Sequence, residues 1–332
     1  MGVVSQQLPR PVQTYLGKGK LEEVKALKGD LNYRTVIVDD EISPSQQRAL
    51  ENKLQVKVID RTALILDVFA DRARTREGRL QVELAQHEYL LPRLAGQWKH
   101  LERLGGGIGT RGPGESQLET DRRLVRSKIH RLKQEIEDVR THRNLYREDR
   151  RRSGLPVVAL VGYTNSGKST LLNTLTGAGV LAVDKLFATL DPVTRRWHLG
   201  SLGPVLITDT VGFIQKLPAI LVAAFRATLE ELADADLLLH VVDVVHPNAP
   251  EHVEEVQKIL GELGLSQKPA IVVLNKMDVF PTNGSSPLNG APGPDPLDMP
   301  EDMVAISALR GDGLPNLKKL IVDRLAKAAV VA

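Results

Sequence analysis

Val157-Val158-Ala159-Leu160-Val161 leads directly into Gly162-Tyr163-Thr164-Asn165-Ser166-Gly167-Lys168-Ser169, and that into Thr170-Leu171-Leu172-Asn173-Thr174-Leu175. An apolar strand run, a loop bounded by glycines and a helical stretch follow one another without a gap. This order separates a phosphate-binding loop from a chance glycine turn. Backbone N–H groups of residues 162 to 170 and the helix N-terminus are expected to surround phosphates. Lys168 would reach the β- and γ-oxygens, and the Ser169 hydroxyl would ligate Mg²⁺.

Further elements follow in order. Val205-Leu206-Ile207-Thr208 reads as a strand ending in Asp209-Thr210-Val211-Gly212. A carboxylate at a strand end can hold the metal's water shell, and the Gly212 N–H can sense a γ-phosphate. Alone the tetrad is weak; about 40 residues beyond the loop it is strong. Between them, Phe187-Ala188-Thr189-Leu190-Asp191-Pro192 is assigned to a switch segment whose Thr189 gives the metal a second hydroxyl. Thr194 competes for that role. Lys168, Thr189 and Gly212 are thus the residues expected at the reacting phosphoryl group.

Leu238 to Val242 and Ile271 to Leu274 read as strands, the second ending in Asn275-Lys276-Met277-Asp278. A carboxylate at Asp278 accepts from both N1–H and the 2-amino group of guanine. Adenine offers no such pair and would leave a buried charge unmatched. Guanine is therefore the expected base and GTP/GDP the expected ligand. Ser307-Ala308-Leu309, after the Met303 to Ile306 strand, is placed to close over the base.

From residue 154 onward strands alternate with helices, the pattern of a doubly wound parallel sheet. Within it, residues 281 to 300 (PTNGSSPLNGAPGPDPLDMP) read as a Pro/Gly-rich loop. Upstream, residues 1 to 70 read as a small α/β unit with strands at Thr35–Val38 and Val56–Ile59 and a helix after the Ser43-Pro44 cap signal. It opens on the proline-flanked segment Pro9 to Pro11.

Residues 71 to 153 carry two series at alternating steps of four and three. One is Leu80, Leu84, His87, Leu91, Leu94, Trp98 and Leu101; the other is Val125, Ile129, Leu132, Ile136, Val139, Arg143 and Tyr146. This is the seam spacing of paired helices. Gly105 to Gly114 separates the series with a glycine content no helix tolerates cheaply. The reading is an antiparallel hairpin with a glycine-rich tip, its first helix kinked at Pro92 and its seam weakened by His87 and Arg143. Three domains result: 1–70, 71–153 and 154–332.

Composition agrees. A chain of 332 residues with 42% hydrophobic and only 4% aromatic residues describes an aliphatic-rich globular protein, and no apolar run reaches the roughly 18 residues of a membrane span. The absence of cysteine excludes disulfides and thiolate metal sites and suits a reducing compartment, so a cytoplasmic location is expected. No targeting signal is read at the start, since Gln6 stands where a myristoylation pattern wants Ser or Thr. The net charge of +3 is uneven: residues 71 to 153 hold 20 Lys/Arg against 13 Asp/Glu. Such a local excess favours polyanionic partners.

The five nucleotide-site elements, over residues 156 to about 328, resemble the G-domain of the translation-factor-related GTPases. Residues 105 to 123 (GGGIGTRGPGESQLETDRR) and 90 to 98 (LLPRLAGQW) resemble the HflX family, whose members join an α/β segment and a helical hairpin to such a domain. Compared with that pattern, the α/β unit is expected to lack the first strand and helix, and no further domain is expected after Ala332. The resemblance implies a ribosome-associated GTPase whose hairpin contacts the large subunit near its catalytic centre, with a role in splitting or rescuing ribosomes under stress. A monomer is expected.

Two features bear on mechanism. Many GTPases place a water-orienting glutamine directly after the glycine of Asp209 to Gly212, but here Phe213 holds that place. A phenyl ring cannot hydrogen-bond a water, and Gln215, two residues along, fits poorly. Slow intrinsic turnover with partner stimulation is expected. Arg122, Arg123, Arg126, Lys128, Arg131, Lys133, Arg140, Arg143, Arg147 and Arg150 crowd the second hairpin helix. With a tip of few side chains besides Arg111, this suits close approach to folded RNA. A GTPase of RNA maturation or modification, and a scaffold binding a protein through the hairpin, remain open alternatives.

Overall fold

In the computed structural model, residues 3–5, 13–94, 113–152, 154–177, 187, 189–216, 218, 220–221, 231–279 and 300–331 are described. The glycine-rich tip as far as Gly112, the seam positions Trp98 and Leu101, Pro9 to Pro11, Ala188, Leu217 and nearly all of the Pro/Gly-rich loop at 281–300 lie outside them. The chain falls into two compact units, one of Met1–Asp71 with Leu80–Ile136 and one of Arg72–Arg79 with Glu137–Ala332.

The first unit begins with α1 (Lys18–Leu31), β1 (Thr35–Val38), α2 (Pro44–Leu54), β2 (Lys57–Asp60) and α3 (Arg61–Arg72). The Ser43 hydroxyl accepts from the Gln46 N–H at 3.2 Å while the Gln46 side chain accepts from the Ser43 N–H at 3.0 Å. With Pro44 in the first turn, this reciprocal cap starts α2 where the sequence signals it. β1 and β2 pair in parallel, Thr35 opposite Lys57 through Val38 opposite Asp60, because α2 supplies the crossover. Leu21, Val24, Ile42, Leu50, Leu54 and Val58 form the core between them.

Two long helices, α4 (Arg76–Leu90) and α5 (Pro113–Arg152), contribute residues to both units. Three details differ from the sequence expectation. Rather than bending at Pro92, the first helix breaks over residues 91–93, and Leu94 is helical again. It ends at Leu90, with Leu91 making a last helical bond to His87 O (2.9 Å), because proline disfavours helical geometry in the residue before it. The second helix starts at Pro113, inside the run assigned to the tip, since proline is well suited to a first helical turn. Arg143, an apparent flaw in the apolar seam, is only 17% exposed and bridges Glu77 (3.0 Å) and Glu231 (3.1 Å).

The expected seam is present at Leu80, Leu84 and Leu132, all buried. Burial also takes in Gln81, Val82, Ala85 and Tyr89, so α4 is covered over a wider arc than a two-helix seam requires. Lys128 pairs with Glu83 and Lys133 with Glu88, each at 2.7 Å. Those two cations are partly spent within the protein, while Arg123, Arg126, Arg131 and Arg140 are exposed.

The second unit continues with β3 (Val157–Val161), α6 (Lys168–Thr176), β4 (Val193–His198), β5 (Pro204–Asp209), β6 (Leu237–Asp243), α7 (Ala249–Glu262), β7 (Ala270–Asn275), β8 (Met303–Ala305) and α8 (Leu314–Val331). The sheet order is β4-β5-β3-β6-β7-β8. All pairs are parallel except β4 with β5. That edge departs from the all-parallel expectation, and β4 itself was not anticipated. Residues 199–203 are too few for a crossover, so the two strands form a hairpin. Arg195 and Arg196 are exposed on β4, which hid it among polar residues.

The period-2 geometry of β3 sorts its side chains. Val158 and Leu160 enter one core with Leu171, Leu317 and Ile321 from α6 and α8. Ala159 and Val161 enter the opposite core with Val256 and Ile259 of α7. The phosphate-loop motif thus leaves the carboxyl end of the central strand, with both faces covered by helices.

In the first unit, the fully buried Asp60 carboxylate accepts from the Tyr89 hydroxyl and the Ala63 N–H at 2.8 Å each and from Arg93 at 3.0 Å. Arg93 also lies over the Tyr89 ring at 3.6 Å. Tyr89→Phe keeps the ring but removes one donor from a buried carboxylate, which should cost about 1–3 kcal/mol. Urea unfolding should show a lower midpoint at unchanged slope; an unaltered midpoint would mean that Arg93 and the Ala63 N–H suffice.

Candidate functional site

The loop after β3 is held from three sides before any ligand is considered. Phe213 braces it through backbone bonds, donating to Gly162 O at 3.1 Å and accepting from the Thr164 N–H at 2.8 Å. Asn275, at the end of β7, donates to Ser166 O at 2.8 Å. The Thr164 hydroxyl accepts from the Phe187 N–H at 3.0 Å. Two glycines are required by these approaches. A Cβ on Gly167, whose φ is +96°, would lie 2.2 Å from Asn275 Nδ2, and one on Gly212 would lie 2.6 Å from Thr164 Cα and 3.1 Å from Lys168 Nζ.

Lys168, the first residue of α6, is buried and donates to Gly162 O (3.1 Å) and Tyr163 O (2.8 Å). Burial pulls its ammonium down to about 8, against the nearby Asp209 carboxylate, which raises it. Asp209 at the end of β5 is likewise pushed up by burial. Lys168, the Ser169 and Thr189 hydroxyls and the Thr210 backbone act the other way. Ser169 Oγ donates to Asp209 Oδ2 at 2.6 Å, Thr189 Oγ1 donates to the same oxygen at 2.9 Å, and the two hydroxyls lie 2.7 Å apart. Three oxygens from three elements thus meet beside the loop. Of the two competing threonines, Thr194 lies away from this point, within β4, its hydroxyl 2.9 Å from that of Thr208.

The arrangement fits a small hard cation: two hydroxyls and a carboxylate are the donors Mg²⁺ takes. Asp209 Oδ1 is buried without a hydrogen-bond partner among the described residues, and so is Ser166 Oγ in the loop. Both are polar atoms whose burial is costly unless a ligand or its water shell completes them.

At the other end of the sheet edge, Ser307 Oγ donates to Asp278 Oδ1 at 2.6 Å, aiming the carboxylate. Asn275 Oδ1 accepts from the Ala308 N–H at 2.9 Å while its amide holds the phosphate loop, so one side chain joins both halves of the site. Thr174 of α6 donates to Ala308 O at 2.7 Å. Lys276 is in the left-handed region at φ +69° and pairs with Asp243 at 2.7 Å, Met277 donates its N–H to Ile306 O at 3.2 Å, and Leu309 is 77% exposed.

The remaining assigned positions fall around the same centre. Asn165 takes φ +63° in the loop. Thr170 O accepts from Thr174, Thr210 Oγ1 donates to Leu160 O at 2.6 Å, and Val211 is buried. Ala188 is outside the described residues. Phe213 is 2% exposed and packs with Val161, Leu232 and Leu238. The Gln215 N–H donates to the Tyr163 hydroxyl at 3.1 Å. Sequence reasoning missed that Tyr163 stacks on His252 of α7, with centroids 3.5 Å apart and planes 6° from parallel. No motif surrounds His252, so only the fold could reveal it.

Three stretches of the chain match known protein families: residues 1–70 a GTP-binding GTPase N-terminal region, 72–150 a GTP-binding GTPase middle region, and 157–276 a 50S ribosome-binding GTPase. The chain is 56% identical over 266 residues to the GTPase HflX of Caldanaerobacter subterraneus, covering 80% of this chain and 62% of that protein. It is 51% identical over 309 residues to that of Lacrimispora saccharolytica, covering 93% and 71%. For the Escherichia coli protein the figures are 45% over 326 residues, 97% and 74%. Among solved structures, a GTP-binding protein from Sulfolobus solfataricus in complex with GDP aligns with a TM-score of 0.50 and 25% identity over 98% of this chain and 89% of its own. A phosphate loop, a convergent oxygen cluster and a serine-aimed carboxylate belong to many nucleotide-binding proteins. Identity that runs on through the α/β and helical regions narrows them to one, and the chain belongs to the HflX family of GTPases.

Proposed function

We propose that this chain binds GTP with Mg²⁺, hydrolyses it slowly by itself, and uses the nucleotide to control association with the large ribosomal subunit, splitting or rescuing ribosomes under stress. The observation that carries the reading is the joining of two chemistries by Asn275. The oxygen cluster of Ser169, Thr189 and Asp209 lies on the phosphate side, and the Asp278–Ser307 pair on the base side.

In this reading the N–H groups of residues 162 to 170 cradle the phosphates, and Lys168 exchanges its carbonyl partners for β- and γ-oxygens. A polyphosphate restores the ammonium that burial disfavours. Ser169 and Thr189 would hold the metal directly and Asp209 through water, and the metal would supply neutralisation of charge on the phosphates. Gly212 approaches the γ-phosphate beside Lys168, and Asp278 reads N1–H and the 2-amino group of guanine. Asn275, Lys276, Met277, Ser307, Ala308 and Leu309 shape the base pocket.

Phe213, committed to the apolar core, supplies no hydrogen bond to an attacking water. Lack of such a group or of an arginine finger is worth about 10³ to 10⁵ in rate, so turnover depends on a partner. A ribosomal partner is supported by the match to a family described as 50S ribosome-binding GTPase and by the exposed arginines of α5. The helical region of residues 71–153, with its glycine-rich tip, is the proposed contact to ribosomal RNA. No described helix is long and apolar enough to cross a membrane. A cytoplasmic monomer is the proposed state.

Lys168→Ala should weaken GTP binding at least tenfold in titration calorimetry while the protein stays folded; an unchanged Kd removes the phosphate-loop role. Asp278→Asn should shift preference from GTP toward xanthosine triphosphate, because the new amide can donate to the added C2 carbonyl. Unaltered selectivity in a competition assay would show that Asp278 does not read the base. Deleting Gly106 to Gly112 should leave GTP affinity within about twofold, an expectation from the tip's place outside the nucleotide elements. It should also abolish most of the stimulation of GTP turnover by purified large subunits. Equal stimulation of wild type and deletion would make the tip an inert turn.

A further inference from the structure

Asp191 lies two residues beyond Thr189, and its carboxylate is docked on the start of α4. Oδ2 accepts from the N–H groups of Arg74 (2.9 Å) and Thr75 (2.8 Å), and Oδ1 accepts from the Thr75 hydroxyl. Thr75 is itself the cap of that helix: its hydroxyl accepts from the Gly78 N–H at 2.9 Å and its carbonyl from the Arg79 N–H at 3.1 Å. An anion at a helix N-terminus meets unpaired N–H groups and the positive end of the helix dipole. Gly78 makes room for it, since a Cβ there would fall 2.2 Å from Asp191 Oδ1.

The docking point is firm. Glu77, in the same turn, is gripped by Arg143, whose other nitrogen holds Glu231. On the switch side, Leu190 is 2% exposed and Val193 is already in register with Asp209 on β5. Thr189 therefore lies between Phe187, whose N–H is held by the Thr164 hydroxyl, and a segment fixed at Asp191 and at β4, with its hydroxyl at the oxygen cluster.

We propose that Asp191 is a positioning residue for the GTP-bound state: its clasp on the N-terminus of α4 fixes the segment that presents Thr189. This rests on Thr189 acting at the metal only when the γ-phosphate is bound. Without the clasp, Thr189 must be ordered at the moment of binding, which costs affinity for triphosphate and not for diphosphate.

The test compares affinities for fluorescent GDP and a non-hydrolysable GTP analogue, across a magnesium titration, in the full chain. Asp191→Ala should lower the analogue-to-GDP affinity ratio about five- to tenfold and raise the magnesium needed for half-saturation with analogue, with GDP affinity within about twofold. Asp191→Asn, which keeps an acceptor for the two N–H groups, should restore most of the ratio. Gly78→Ala, which expels the carboxylate while favouring the helix, should lower it as Asp191→Ala does and stands in should that variant not fold. Thr189→Ala separates the premises. If it shifts the ratio and neither Asp191→Ala nor Gly78→Ala does, Asp191 is only a helix cap. If Thr189→Ala changes nothing, the metal role of Thr189 fails, and the proposal fails with it.

Discussion

A buried ammonium and a buried carboxylate, Lys168 and Asp209, face the same small space at the carboxyl end of the sheet. Each is disfavoured by burial and relieved by the other. Two opposite charges removed from water are costly unless hydrogen bonds complete them, and here completion is partial. Lys168 finds two loop carbonyls, while one oxygen of Asp209 has no hydrogen-bond partner among the described residues. A ligand bringing both negative phosphates and a cation satisfies the two at once. The loop, the helix behind it and the adjacent strand end are organised around that shared need.

The rest of the unit serves to hold these groups without help from a ligand. β3 lies between β5 and β6, so the loop it feeds starts from a strand paired on both sides. Asn275 then spends both ends of its amide within the protein, on Ser166 O and the Ala308 N–H, and Ser307 turns Asp278. Preorganised donors and acceptors of this kind lower the ordering cost of binding. They also tie the loop after β3 to the turn after β8.

Switch behaviour, by contrast, has to come from parts with fewer ties. Phe213 places its ring in the apolar core and its backbone on the loop, so the residue after Gly212 has a structural part in holding the site. Among the described residues, the Thr189 segment joins the oxygen cluster to the start of α4. Its anchor at Asp191 is the start of α4, within the same compact unit.

The sequence by itself determined the strand, loop and helix at 157–175, the parallel order of the later strands and the identity of the motif residues. In each case the chemistry is local: backbone amides at a helix start, a carboxylate at a strand end, a serine-capped helix at Ser43. It also carried the family resemblance through residues 90 to 123. Tertiary structure decided what depends on distant partners. β4 became an antiparallel edge because its link to β5 is short, and Thr189 rather than Thr194 reached Asp209 because strand pairing turned Thr194 toward Thr208. Arg143 looked like a defect in an apolar seam until two glutamates from elsewhere in the chain met it. Asp191 read as one more loop residue, since its partners lie 116 and 117 positions away and no pattern in a linear chain encodes a hydrogen bond across that separation.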